Sequence, residues 1–353
     1  MRLLLVTRGF PPRIGGVETL CRQLAEGFTR RGADVLVVTY GGAAAFSVED
    51  GPYRVMRLPS RGGQFEWSTR IVPVLRRLRP DACHVHNLHS TVAASVWAAG
   101  RRPYVLTTHY HGRGHTVAAR LIHPAYRALA TRVVRAAAAV TAVSHDEARL
   151  VRGHFGVAPE VIPNGIDPGP QPAASRDADG PPTIAVVSRL AHYKRVHAVV
   201  RALAELPGFR LHIVGDGPER GDVLRLAARL GVADRVRLTA DRLPDAEVRA
   251  VVRDAAVHVN LSAAEAFSYT VLESLAAGTP VVTSGDTALA AWSERFPGAV
   301  LAADPARPAE VAAAVRRLAG DRVDVDLGEY ALPAILERYE AVYEKAAAIR
   351  VPR

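Results

Sequence analysis

The sequence predicts two doubly wound α/β domains, each a parallel sheet with helices on its faces, set to either side of a central cleft. Three observations carry this. The chain has 353 residues, about twice an ordinary domain. Short apolar runs alternate with segments of helical period, the signature of parallel sheets. That alternation stops once, at a segment dense in Pro and Gly, and then restarts. The apolar fraction of 49% and charged fraction of 23% are those of a folded globular chain.

The elements follow in order. Residues 3–7 read as a strand. Residues 17–31 read as an amphipathic helix, with Leu20, Leu24 and Phe28 at spacing four and Gly32 closing it. Strands are predicted at 35–39 and 55–58, and a helix at 66–78, stopped by Arg79-Pro80. Strands follow at 82–86 and 104–108, a long helix at 118–137, and strands at 140–144 and 161–163. The breaker-rich segment carries Pro163, Pro168, Pro170, Pro172, Pro181 and Pro182. After it come strands at 183–188, 210–214, 236–239, 257–261 and 280–283. Between and after them lie helices at 196–206, 223–230, 245–253, 271–277 and 309–318. The resulting division is a first domain at 1–165, a linker at 166–182 and a second domain at 183–330. A terminal helix in 331–353 is expected to pack back on the first domain. In such sheets ligands bind beyond the strand C-termini, where the strand order reverses.

Several classes are excluded. Two cysteines, Cys21 and Cys83, cannot build a disulfide framework or a four-cysteine zinc site. No stretch reaches the roughly 18 uncharged apolar residues of a spanning helix. The N-terminal apolar run is too short for a signal peptide, so a cytoplasmic protein is expected. The net charge is +10 and comes almost wholly from arginine, the lysines being Lys194 and Lys345. Residues 1–166 hold 22 Lys+Arg against 10 Asp+Glu, so the excess lies in the first half. Either a solvated basic surface or contact with something anionic explains it. Trp67 and Phe65 among Arg61, Arg70, Arg76 and Arg77 extend the second reading to a peripheral anionic membrane at the inner face.

Glu265 and Glu273 are the strongest chemical signal. Both stand in Ser262-Ala-Ala-Glu265-Ala-Phe-Ser-Tyr-Thr-Val-Leu-Glu273, which runs from a strand end into a helix. Carboxylates there can accept hydrogen bonds from vicinal hydroxyls, and the helix N-terminus between them offers free N–H groups to a phosphate. Ser188-Arg189-Leu-Ala-His-Tyr-Lys194-Arg195 also joins a strand to a helix. One of the two lysines falls in it, with Arg189 nearby, and both can meet an anion. Phe10-Pro-Pro-Arg-Ile-Gly15-Gly16 precedes the first helix, and adjacent glycines allow close backbone approach. It is not the Gly-x-Gly-x-x-Gly pattern, which disfavours hydride transfer.

Together these segments resemble the retaining glycosyltransferases of family 4, of GT-B fold. Tyr104-Val-Leu-Thr-Thr-His109, Val140-Thr-Ala-Val-Ser144, Ala82-Cys-His-Val-His86 and Val161-Ile-Pro-Asn164-Gly165 fit the family's strands in the expected order. The resemblance implies a hexosyltransferase that uses a nucleotide-sugar donor, UDP- or GDP-linked, without a metal or other cofactor. Glu273 would hold ribose hydroxyls, and Arg189 and Lys194 the diphosphate. Gly15 and Gly16 would approach the diphosphate, with Val271 and Leu272 presenting backbone N–H groups. Glu265 and His109 would hold the donor sugar, and the base would lie near Arg242. Ser144 and His111 fall on the side of a small-molecule or lipid-linked acceptor. The chain departs from the family at Ser188, at Arg195, at Ala266 and Ser268 in place of glycines, and at Ser284-Gly-Asp286-Thr. The alanine and serine are expected to narrow the approach to the donor sugar.

The alternatives are a sugar-nucleotide epimerase of the same fold, or a non-enzymatic binder of an anion or nucleic acid through the basic half. Nucleic acid leaves the glutamate pair unexplained and is not expected as a partner. His84, His86, His89, His109, His111 and His115 invite a zinc reading, but no carboxylate is well placed to complete it. Asp324-Val-Asp326 reads as a solvated turn.

Overall fold

The computed structural model describes residues 1–42, 46–63, 66–100, 103–112, 117–167, 180–241 and 243–349, with only the backbone of 117–125. The chain divides into two compact units. The first joins residues 1–165 to the segment from Gly328 onward, and the second runs from Ile166 to Leu327.

The first unit begins with β1 (Arg2–Val6), α1 (Gly16–Arg30), β2 (Asp34–Tyr40), β3 (Ser47–Glu49) and β4 (Arg54–Leu58). It continues with α2 (Ile71–Arg77), β5 (Ala82–His86), α3 (Thr91–Ala98), β6 (Val105–Thr107) and α4 (Val117–Arg135). β7 (Ala139–Ala142), α5 (His145–Phe155) and β8 (Glu160–Val161) complete it. Its sheet runs β3-β4-β2-β1-β5-β6-β7-β8, parallel throughout except for the β3–β4 pair. β1 is central and apolar on both faces, with Leu3, Leu4, Leu5 and Val6 all buried.

The predicted helix at 66–78 forms only from Ile71. Trp67 pairs instead with Arg61 in an isolated antiparallel bridge. The Glu66 carboxylate is buried and takes Arg13 on both oxygens, at 2.6 and 2.8 Å, and the Ser60 hydroxyl at 2.6 Å. These long-range bonds override the local helical period. Helices α3 and α5 were not predicted. α3 is apolar nearly all round (Thr-Val-Ala-Ala-Ser-Val-Trp-Ala), so it carries no amphipathic stripe.

The last helix, α12 (Leu332–Ala348), packs on α1 and against the sheet of this unit. Tyr343 meets His84 Nδ1 at 2.8 Å, and its ring lies 5.3 Å from that of Phe28. His84 Nε2 meets the Thr107 hydroxyl at 2.7 Å. Arg31, which closes α1, reaches Glu340 at 3.0 Å. Tyr343→Ala removes a fully buried ring and takes from His84 Nδ1 its partner. It should therefore lower stability by about 3–5 kcal/mol in denaturant titration, and Tyr343→Phe by about 1–3 kcal/mol.

The second unit holds β9 (Thr183–Val187), α6 (Val196–Ala204), β10 (Arg210–Val214), α7 (Arg220–Arg229) and β11 (Val236–Thr239). It continues with α8 (Asp245–Asp254), β12 (Val257–Asn260), α9 (Tyr269–Ala276) and β13 (Val281–Ser284). α10 (Ala290–Arg295), β14 (Val300–Ala303) and α11 (Pro308–Leu318) end it. β14 and α10 were not predicted. The sheet is parallel, in the order β11-β10-β9-β12-β13-β14. Helix α6 packs against α7 and α11 in one apolar core with the sheet, and α8 packs against α9. The order reverses between β9 and β12, which marks the crevice where a ligand of such a sheet sits.

Candidate active site

The two loops at that reversal carry the strongest sequence signals. β9 leads into Ser188–Lys194, whose last three residues form a short 3-10 turn, His192–Lys194. β12 leads into Ser262–Ser268 and then α9. The loops are joined by the Ala263 N–H, which donates to the Tyr193 carbonyl at 2.6 Å. Lys194 Nζ donates to a Glu265 carboxylate oxygen, with both side chains less than one-fifth exposed. The sequence could not show that these charges touch, since they stand 71 residues apart. Arg189 is exposed beside them and forms no ion pair with a described residue.

Ser268 occupies the position before α9 with φ +133°, a backbone that favours glycine. Its hydroxyl is held by Asn260 Nδ2 at 3.0 Å and lies 3.2 Å from Thr270 Oγ1. Asn260 also accepts from the Ser262 N–H at 3.1 Å, so one buried amide fixes both ends of the loop. The Leu272 N–H is taken by the Ser268 carbonyl at 3.4 Å. Val271 lies within the first turn, whose N–H groups have no intrahelical acceptor. Of the two amides named from sequence, Val271 is therefore the better anion donor.

Glu273 lies on α9, half-buried, and no described side chain hydrogen-bonds it. Burial, with Asp245 adding to it, pushes its carboxyl up to about 7. Arg242 lies outside the described residues.

Two departures from the family pattern meet in this unit. Arg195 has φ +52°, and its guanidinium forks onto Asp286 at 2.7 and 2.9 Å and reaches the Ser284 hydroxyl at 3.2 Å. The pair ties the residue after Lys194 to the end of β13. Also missed from sequence were Gly215 and Gly217, although a Gly-x-Gly after a predicted strand was a usable signal. A Cβ on Gly215 would stand 2.0 Å from the Ser188 carbonyl oxygen, and one on Gly217 would stand 2.3 Å from that of Leu190. Between them the Asp216 carbonyl accepts the Leu190 N–H at 2.9 Å.

In the first unit, Gly15 precedes α1 and Gly16 opens it. A Cβ on Gly15 would meet the Glu18 carboxylate at 2.3 Å. His109 follows β6 with φ +47° and is 9% exposed. Its Nε2 lies 3.4 Å from His86 Nδ1, and burial brings its imidazole down to about 3, so it is neutral. Glu147 on α5 fixes this corner. Its carboxylate accepts from the Tyr110 N–H at 2.6 Å, the Val143 N–H at 2.7 Å and the Thr108 hydroxyl. Burial still raises that carboxyl to about 7. Ser144 caps α5, accepting the Glu147 N–H at 3.2 Å, and His111 stacks on His89 at 4.4 Å. The Ser-x-x-Glu spacing was the sequence signal for this missed helix.

His84 spends both nitrogens on Tyr343 and Thr107, which removes it from any zinc set. His115 lies outside the described residues. Among the described residues, no helix is long and apolar enough to cross a membrane.

Two doubly wound units in tandem, the second with a cation–carboxylate pair at its strand reversal, define a GT-B protein. Comparison with known proteins agrees. Residues 14–169 match the family model Glycosyltransferase Family 4, and residues 181–321 match Glycosyl transferases group 1. The 2-deoxystreptamine glucosyltransferase of Streptomyces kanamyceticus is 30% identical over 73% of this chain and 73% of its own. The GDP-mannose:cellobiosyl-diphosphopolyprenol alpha-mannosyltransferase of Komagataeibacter xylinus is 29% identical, covering 100% of this chain and 95% of its own. Among solved structures, sucrose-phosphate synthase from Thermosynechococcus elongatus superposes with TM-score 0.79 at 19% identity, over 99% of this chain and 100% of that one. Anabaena HepE with UDP and glucose gives 0.78 at 19% identity, over 98% and 99%. The chain belongs to the group 1 glycosyltransferases, resembles family 4, and is an enzyme of the glycosyl-transferring class.

Proposed function

We propose that this enzyme moves a hexose from a UDP- or GDP-linked donor to an acceptor hydroxyl with retention of configuration, by front-side attack and without a metal. The observation that carries the reading is the Lys194–Glu265 pair at the strand reversal of the second unit. Leaving-group departure builds negative charge on a nucleoside diphosphate. A fixed cation and a helix N-terminus stabilise charge most where it develops. In this reading Arg189, Lys194 and the Val271 N–H take the diphosphate, Glu273 takes the ribose, and Glu265 takes the donor sugar. Gly15, Gly16 and His109 serve the donor from the first unit, and Ser144 and His111 lie toward the acceptor. By their names, two of the relatives above act on 2-deoxystreptamine and on cellobiosyl-diphosphopolyprenol. We extend to this chain a small-molecule or lipid-linked acceptor, with the arginine-rich first half meeting an anionic membrane surface in the second case.

The test is thermal unfolding with UDP, GDP, ADP and dTDP in chelator. A nucleotide at about 100 times its dissociation constant should add about 2.7 kcal/mol of stability. One nucleotide should shift the wild type and leave Glu273→Ala unmoved; no shift with any of them would overturn the donor assignment.

The Glu273 carboxyl sets a pH dependence. A ribose diol needs the carboxylate, and burial raises this carboxyl to about 7 in the free protein. Donor affinity should fall as pH drops through 7, and binding near that pH should release a proton. Calorimetry in buffers of different ionisation enthalpy measures the release. Glu273→Gln should bind weakly, with a flat profile.

A further inference from the structure

His192, His197 and Glu219, none of them given a role toward the donor, form a cluster at the turn that carries Lys194. Each offers one ligand atom, and these atoms all lie within 4.8 Å of one another. His192 Nδ1 stands 3.4 Å from a Glu219 carboxylate oxygen, and the two imidazoles stack at 5.5 Å and 20°. The backbone beneath is fixed. The Glu219 N–H donates to the Leu190 carbonyl at 3.0 Å, and the Arg195 N–H to that of His192 at 3.1 Å. We propose that these three residues bind one divalent transition-metal ion of the Zn²⁺ kind, with water completing its coordination.

Two imidazoles and one carboxylate are a common donor set for this metal, and three protein ligands leave a position for water. His192 is exposed, which gives an ion its entry. His197 and Glu219 are half-buried, which holds their ligand atoms in place beneath it. Two nearby cations are already offset, Arg195 by its fork on Asp286 and Lys194 by Glu265. The ion would staple the turn that carries Lys194 to the start of α7. Its role is structural, separate from the transfer chemistry.

The test is titration of the full chain, freed of metal by chelator, with Zn²⁺ by calorimetry and with Co²⁺ by its visible absorption. One saturable ion is expected, with a Co²⁺ spectrum showing nitrogen ligation. His197→Ala and Glu219→Gln should each weaken it at least tenfold, while His145→Ala, an exposed histidine of the first unit, leaves it unchanged. Unchanged thermal unfolding of the variants in chelator checks their fold. Absence of saturable binding, or equal binding by well-folded variants, would overturn the proposal.

Discussion

Lys194→Ala is expected to lower kcat by about 10²–10³, the effect of losing one preorganised group at a developing oxyanion. The donor's KM should change far less, because the lysine's contribution grows as the phosphate leaves. A second effect must be separated from this one. In the resting protein Lys194 is bound to Glu265, and neither is more than one-fifth exposed. Removing the lysine leaves a largely buried carboxylate unpaired, which lowers stability on its own. A double-mutant cycle resolves the two. If the lysine acts only by holding Glu265, Lys194→Ala in a Glu265→Gln background should cost no further activity. If it meets the phosphate, most of the loss should persist. Lys194→Arg should recover little, since the forked guanidinium is longer and planar. Steady-state kinetics beside thermal unfolding of the four proteins decides the matter.

Gly215→Ala is expected to be the most damaging single-methyl change in the second unit. Its φ of +139° is one that side-chain-bearing residues rarely adopt, and its new Cβ would lie 2.0 Å from a backbone oxygen of Ser188. The strain alone is worth about 1–3 kcal/mol. The clash adds to it, because its partner is main chain and cannot swing away. A loss of about 3 kcal/mol corresponds to a Tm lower by roughly 6–12 °C for a unit of this size. The Ser188–Leu190 loop must also shift, and with it Arg189, so donor KM should rise. Gly208→Ala is the control. It shares a positive φ, +85°, but its Cβ would meet nothing within 4 Å. It should lose strain energy alone and leave the donor KM unchanged. Equal effects of the two substitutions would show that the close approach to Ser188 carries no weight.

Much of the fold was legible because it is set by local patterns. β1 is a run of apolar residues, α1 repeats Leu20, Leu24 and Phe28 on its buried side, and Gly-Gly opens that helix. Each can be read within a dozen residues. α3 could not, since a helix buried on most sides has no stripe. The predicted start of α2 failed because Glu66 is claimed by Arg13, 53 residues away. Likewise the candidate site was legible as two strand-end loops, and illegible as a contact between them.

The sequence by itself determined the α/β class, the two-unit order and the positions of Lys194, Glu265 and Glu273 on loops and helix at strand ends. Strand period, breakers and helix starts are short-range properties, and each acts on its own stretch of chain. Tertiary structure alone decided which of these groups touch. It paired Lys194 with Glu265 and Arg195 with Asp286, and set Glu147 across the two chain segments beside His109. It also placed Tyr343 on His84, 259 residues away. Hydrogen bonds and ion pairs act over a few ångströms of space and are indifferent to separation along the chain. Only the packing of strands and helices within each unit brings their partners within reach.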